Sequence, residues 1–241
     1  MRRTMFIRAW HKVIDTLFPD FMMFFLPKLV SHIDWRVPYA IVRDATLIER
    51  PGGVVNQGVD KLVKYGEKTT HGAETAWLFC YITWPDTERK YLPQWLWTYF
   101  YRLYEKRKTP LTMVALLLDN DTQWRPAHYT LSFCGGKLHL GYACLKITDF
   151  FEIAKDSANP MASFIEMHQM SLVTETNPDF RLTQLCALMK QWYHWGYPPE
   201  VMRALYHFKE TVLPLPPTLN EILVHDMTYY QKMVGGESAL F

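Results

Sequence analysis

Between positions 9 and 30 the apolar residues Trp10, Val13, Ile14 and Leu17 recur at helical spacing, and Phe21, Phe24, Phe25 and Leu29 continue the series after Pro19 breaks its phase. The pattern predicts two short helices. From 38 to 50 the chain turns rich in Ile, Val and Thr, and beyond Pro51, Gly52 and Gly53 a strand is predicted over 58–65. Residues 66–74, two glycines among polar side chains, then turn the chain into 76–83, an apolar run that suits a strand buried on both faces.

Pro93 fits the first turn of a helix running to about 108, with Leu96, Tyr99, Phe100 and Leu103 as its apolar stripe and Pro110 as its stop. Residues 112–118 predict a central strand closed by Asp119, Asn120 and Asp121. A hairpin is predicted from 129–133 and 137–143 around Gly135 and Gly136. Beyond 150 the pattern is helical, over 150–155, 161–170, 180–195, 200–213 and 219–233, with proline-containing breaks between successive helices from 159 onward. The division expected is 1–149 as an α/β core, 150–234 as a helical region packed on or next to it, and 235–241 as a loose tail.

A hydrophobic content of 49% lets 241 residues bury a substantial core. With 26 Lys and Arg against 24 Asp and Glu, the net charge of +2 makes no global field toward nucleic acid, so any basic surface must be local. Cys80, Cys134, Cys144 and Cys186 lie far apart without a CxxC spacing, which disfavours a zinc site or a disulfide framework and fits reduced thiols in the cytoplasm. The apolar run 21–26, bracketed by Pro19, Asp20, Pro27 and Lys28, is too short to span a bilayer, and no secretory cleavage pattern follows it. No phosphate-binding glycine loop or nucleophile elbow is present.

Several motifs in order carry a resemblance. They are Ile33, Asp34, Trp35 and Arg36 after a Phe-rich helix; Val59, Asp60, Lys61, Leu62, Val63 and Lys64; and Tyr101, Arg102, Leu103 and Tyr104 in an aromatic helix. Gln123, Trp124, Arg125 and Pro126 follow, then Gly196 and Tyr197, and finally Leu213 and Pro214. Over about 9–233 the chain resembles the recombination-promoting nuclease (Rpn)/transposase family of the PD-(D/E)XK superfamily. The resemblance implies an α/β fold with a restriction-endonuclease-like, mixed four-stranded sheet and flanking helices, followed by a helical carboxy-terminal region. It also implies bacterial DNA recombination as a setting.

In that superfamily an aspartate on one strand and a carboxylate on its neighbour hold a Mg²⁺ ion that polarises the phosphate and acidifies the attacking water. Asp60 matches the first position, as catalytic residue and metal ligand. Where the family carries Glu-x-Gln, this chain has Cys80, Tyr81, Ile82, Thr83 and Trp84. Tyr81 and Thr83 can offer hydroxyls to a phosphate or water but not the negative charge Mg²⁺ prefers. Asp44, Glu49, Glu74 and Glu88 are the candidates for a relocated second ligand, Glu88 belonging to a literal Glu-Arg-Lys triplet beyond Pro85. His11 reads as a cap or surface residue.

Arg102, Lys106, Arg107 and Lys108 form a candidate DNA-backbone patch, which favourable charge at a helix end would equally explain. Trp95, Trp97, Tyr101 and Tyr104 are candidates for base stacking or for core. The leading expectation is a nuclease-fold protein, impaired in cleavage, that binds DNA or a protein partner. The alternatives are an active Mg²⁺-dependent DNA endonuclease with a relocated carboxylate, and a non-catalytic interaction module or homo-oligomer. No membrane partner is expected.

Overall fold

A computed structural model describes residues 2–42, 60–85 and 89–234, apart from the side chains of Arg2 and Asp60. The expectations for 43–59, for Glu88 and for the tail 235–241 lie outside the described residues. The chain forms two compact units, Met1–Phe24 with Phe150–Phe241, and Phe25–Asp149. The expected core of 1–149 therefore differs from the observed grouping at its amino-terminal end, because the first helix packs with the later helices.

In the helical unit, α1 (Arg2–Thr16) packs on α8 (Pro199–Val212), which packs in turn on α6 (Pro160–Val173); α7 (Pro178–His194) pairs with α9 (Pro217–Met233). Each of α6 to α9 begins on a proline, whose missing N–H costs nothing in a first turn. Two begin on Asn-Pro. The Asn159 side chain accepts from the Met161 N–H at 2.8 Å and that of Asn177 from the Phe180 N–H at 3.0 Å, capping amides that have no helical partner. Trp10, fully buried, anchors the centre: its indole N–H donates to His168 Nδ1 at 3.3 Å and its ring meets Phe208 edge-on, with centroids 5.5 Å apart. His11, expected at the surface, is 6% exposed on the packed side of α1.

In the second unit, α2 (Phe18–Phe25) has just ended and α3 (Pro27–Val30) leads into a five-stranded sheet of order β1-β2-β3-β4-β7. The strands are β1 (Ala40–Val42), β2 (Asp60–Thr69), β3 (Gly72–Thr83), β4 (Leu111–Leu117) and β7 (Ala143–Lys146). β2 runs antiparallel to both β1 and β3, whereas β3, β4 and β7 are mutually parallel, so the sheet is mixed as expected. It has five strands among the described residues rather than four.

The β2–β3 turn is shorter than its polar sequence suggests. Thr69 pairs with Gly72, so only Thr70 and His71 turn the chain, with Gly72 at φ 117°. Gly66 remains inside β2, where the Ile33–Arg36 motif docks: the Asp34 N–H donates to the Gly66 carbonyl at 2.8 Å. A Cβ there would lie 2.7 Å from the Val37 Cβ.

The helix α4 (Leu92–Arg107) makes the parallel crossover from β3 to β4. Its inward stripe is Leu92, Leu96, Tyr99 and Leu103, packed on Trp77, Phe79, Tyr81, Met113, Ala115 and Leu117. The hairpin of β5 (His128–Phe133) and β6 (Gly136–Gly141) occupies the β4-to-β7 connection. The apolar run that reads as one strand over 137–143 is broken at Tyr142, where the chain leaves the hairpin and joins the main sheet as β7.

Candidate functional site

Parallel strands place their carboxyl ends on one edge, the edge at which open α/β sheets commonly receive ligands. Here that edge belongs to β3, β4 and β7. Asp60 opens β2 opposite Tyr81, Tyr81 lies beside Ala115, and Ala115 beside Cys144, so one row crosses four strands. Two residues further on, Thr83, Leu117 and Lys146 form a second row, and Asp119 follows just past β4. The Leu118 N–H extends the pairing by donating to the Thr83 carbonyl at 2.9 Å.

The side chains of this edge are committed to one another. Lys146 is fully buried, and its ammonium donates to Asp119 Oδ1 at 2.6 Å. Arg89 donates to Asp119 Oδ2 at 3.1 Å and also pairs with Asp121. Both cations lie near the Trp124 ring, Arg89 at 5.2 Å and Lys146 at 5.8 Å from its centroid. Asp121 accepts the Gln123 N–H at 2.9 Å; that bond, followed by the Arg89 contact, holds its pKa below the ordinary carboxylate value. Burial pushes the Cys144 thiol up to about 11, which keeps it protonated and inert at neutral pH.

The residues predicted for a metal pair meet this geometry unevenly. Tyr81 is fully buried within the α4-facing core, its ring tilted 34° against that of Tyr99 at 6.1 Å, and Thr83 is 5% exposed. Neither neutral hydroxyl fits the donor set of a divalent cation. Glu74 is exposed and pairs with Glu67 near the turn of the β2–β3 hairpin; at about 3.3 Å rise per residue it lies on the order of 20 Å from the Asp60 row. It cannot share an ion with Asp60. Asp119, which shares the edge, has both carboxylate oxygens bound by cations. Among the described residues no group of three or more His, Cys, Asp or Glu side chains is assembled to hold a metal ion. Asp44, Glu49 and Glu88 lie outside the described residues.

The basic candidates also separate. Lys106 and Lys108 are exposed, Arg102 is half-buried, and Arg107 lays its guanidinium over the Trp77 ring at 4.2 Å, where it serves the packing of α4. Lys108 ends the helix in the left-handed conformation, φ 53°, with its N–H donating to the Tyr104 carbonyl. Arg3 and Arg8 lie exposed on α1, in the other unit. Phe100 is half-buried and packs against the core, as its place in the predicted stripe requires, while Trp97, half-buried, and Tyr101 and Tyr104, exposed, lie beside it on the outer side of α4.

Sequence reasoning missed the Asp119, Lys146, Arg89 and Trp124 cluster. The available signal was a lysine inside the apolar run Cys144, Leu145, Lys146 and Ile147, a position that requires a buried anion. No helix among the described residues is long and apolar enough to cross a membrane. Comparison of the chain with protein-family models, curated proteins and solved structures finds no match.

Proposed function

We propose that this protein binds nucleic acid on a nuclease-like fold of the PD-(D/E)XK kind and no longer cleaves by the superfamily's paired-carboxylate, Mg²⁺-dependent route. The observation that carries the reading is the cross-strand register. Opposite Asp60, where the resemblance to the Rpn/transposase family calls for a second acid, stands the buried, neutral Tyr81. The carboxylate that does share the edge, Asp119, is neutralised by Lys146 and Arg89. Binding is favoured over a purely structural role by Lys106 and Lys108, both exposed at the end of α4, which suit phosphate contacts that position a backbone without reading sequence.

The test is a salt titration of DNA binding with the full chain. A small number of lysine–phosphate contacts predicts log K falling linearly with log salt, with a shallow slope of about one per lysine engaged. Absence of binding at low salt defeats the proposal and leaves a protein-interaction module. Strand cleavage in Mg²⁺ that disappears in Asp60→Ala establishes instead the active endonuclease with a relocated ligand.

A further inference from the structure

The aromatic row on α4 starts from half-buried Trp97 and Phe100 and ends on two open rings. Tyr101 is 53% and Tyr104 48% exposed, on a helix whose inward stripe is already complete. Phe100 and Tyr104 lie nearly parallel, 5.7 Å between centroids and 10° between planes, and Trp97 and Phe100 lie 6.1 Å and 28° apart. On the other side of Trp97 stands Tyr129 of β5, at 6.4 Å and 19°. The row therefore runs from the hairpin onto the helix. These separations are those of offset stacking, in which each ring leaves part of its face uncovered.

We infer that this face, from Tyr129 across Trp97 and Phe100 to Tyr101 and Tyr104, binds single-stranded nucleic acid by stacking its unpaired bases. The inference rests on the nucleic-acid reading above and names the form of ligand. Three physical points carry it. A base in a duplex has both π-faces covered by its neighbours, whereas a single strand presents them to a flat protein ring, and such stacking tolerates any sequence. The span matches as well. From Trp97 to Tyr104 the helix rises about 10 Å at 1.5 Å per residue, the length of about three bases at 3.4 Å per step.

Charge completes the argument. Lys108 and Lys106 stand exposed at the carboxyl end of the stripe. A strand laid along the rings thus meets cations at that end, against one exposed acid on the helix, Glu105. Leu131 and Phe133, exposed on the same face of β5 as Tyr129, extend the apolar surface toward the hairpin tip.

Fluorescence anisotropy with an oligo-dT strand of about ten nucleotides, beside a duplex of equal length, tests the inference on the full chain. The expected result is tighter binding of the single strand with quenched tryptophan emission. Tyr101→Ala and Tyr104→Ala should each weaken oligo-dT binding about tenfold, while the Phe variants retain it and the duplex affinity does not move. Lys108→Gln should instead lower the salt slope by about one. Equal weakening of single strand and duplex, or no change in either Ala variant, overturns base stacking while leaving the nucleic-acid reading intact. No binding of either probe by the unaltered chain overturns both.

Discussion

The carboxyl edge of β3, β4 and β7 and the outer face of α4 are built from the same materials, cations beside aromatic rings, with opposite outcomes. At the edge, Arg89 and Lys146 flank Trp124 and are neutralised by Asp119 and Asp121. On α4, the Tyr101 and Tyr104 rings and the Lys106 and Lys108 side chains meet solvent. Burying an ion is tolerable only when a counter-ion and hydrogen bonds replace the lost water. The edge satisfies that condition internally and has little left to offer a ligand; on the helix face Tyr101, Tyr104, Lys106 and Lys108 are exposed.

The comparison breaks most visibly at Lys146. Replacing it by Met leaves Asp119 buried with one cation fewer, and urea unfolding should show a loss of about 3–5 kcal/mol. Adding Asp119→Leu should restore most of the loss, because an apolar pair of similar volume is nearly neutral where half a pair is not. Failure of the double variant to recover would mean that the ion pair specifies the β4–β7 junction and does not merely satisfy itself.

The two stripes of α4 provide the next contrast. Leu96→Ala, on the buried stripe, should cost about 2–5 kcal/mol. Tyr101→Ala, on the open one, should stay within about 0.5 kcal/mol, measured by the same denaturation. A large loss at Tyr101 would place the ring in packing after all.

A carboxylate in the helical unit gives a pH-dependent contrast. Burial pushes Glu166, on α6, up to about 7, with Lys155 opposing only partly. Since its folded pKa lies above the unfolded value, the neutral form is favoured in the fold. Stability should be fullest below about pH 4.5 and decline as pH rises toward about 7. For this half-buried group, with solvent screening taken into account, the decline is on the order of 2 kcal/mol. Glu166→Gln should flatten that part of the pH–stability curve; an unchanged slope would assign it to another group.

Much of the architecture was legible because it follows from local chemistry. The unbroken run Ala76 to Thr83 reads as a two-sided strand, and all eight residues are buried. The Asn-Pro pairs at 159 and 177 read as helix starts and are caps. What escaped depends on distant residues. β7 was hidden because the break comes at a single residue, Tyr142, between Gly141 at the end of β6 and Ala143 at the start of β7. Arg89, beside the triplet's Glu88, looked like a solvated loop charge, yet it closes an ion network with residues 30 and 32 positions away. On the aromatic helix, spacing read the inward stripe of Leu96, Tyr99, Phe100 and Leu103, and these residues pack on the sheet.

The measurement that bears most directly on the central claim is a single gel. Supercoiled plasmid carrying single-stranded character is incubated with the full chain and Mg²⁺ or Mn²⁺, beside Asp60→Ala, and then resolved with and without removal of protein. Retarded mobility that reverts to intact supercoiled DNA once protein is removed is the predicted result. Nicked or linear product that forms with the unaltered chain and vanishes with Asp60→Ala would contradict it.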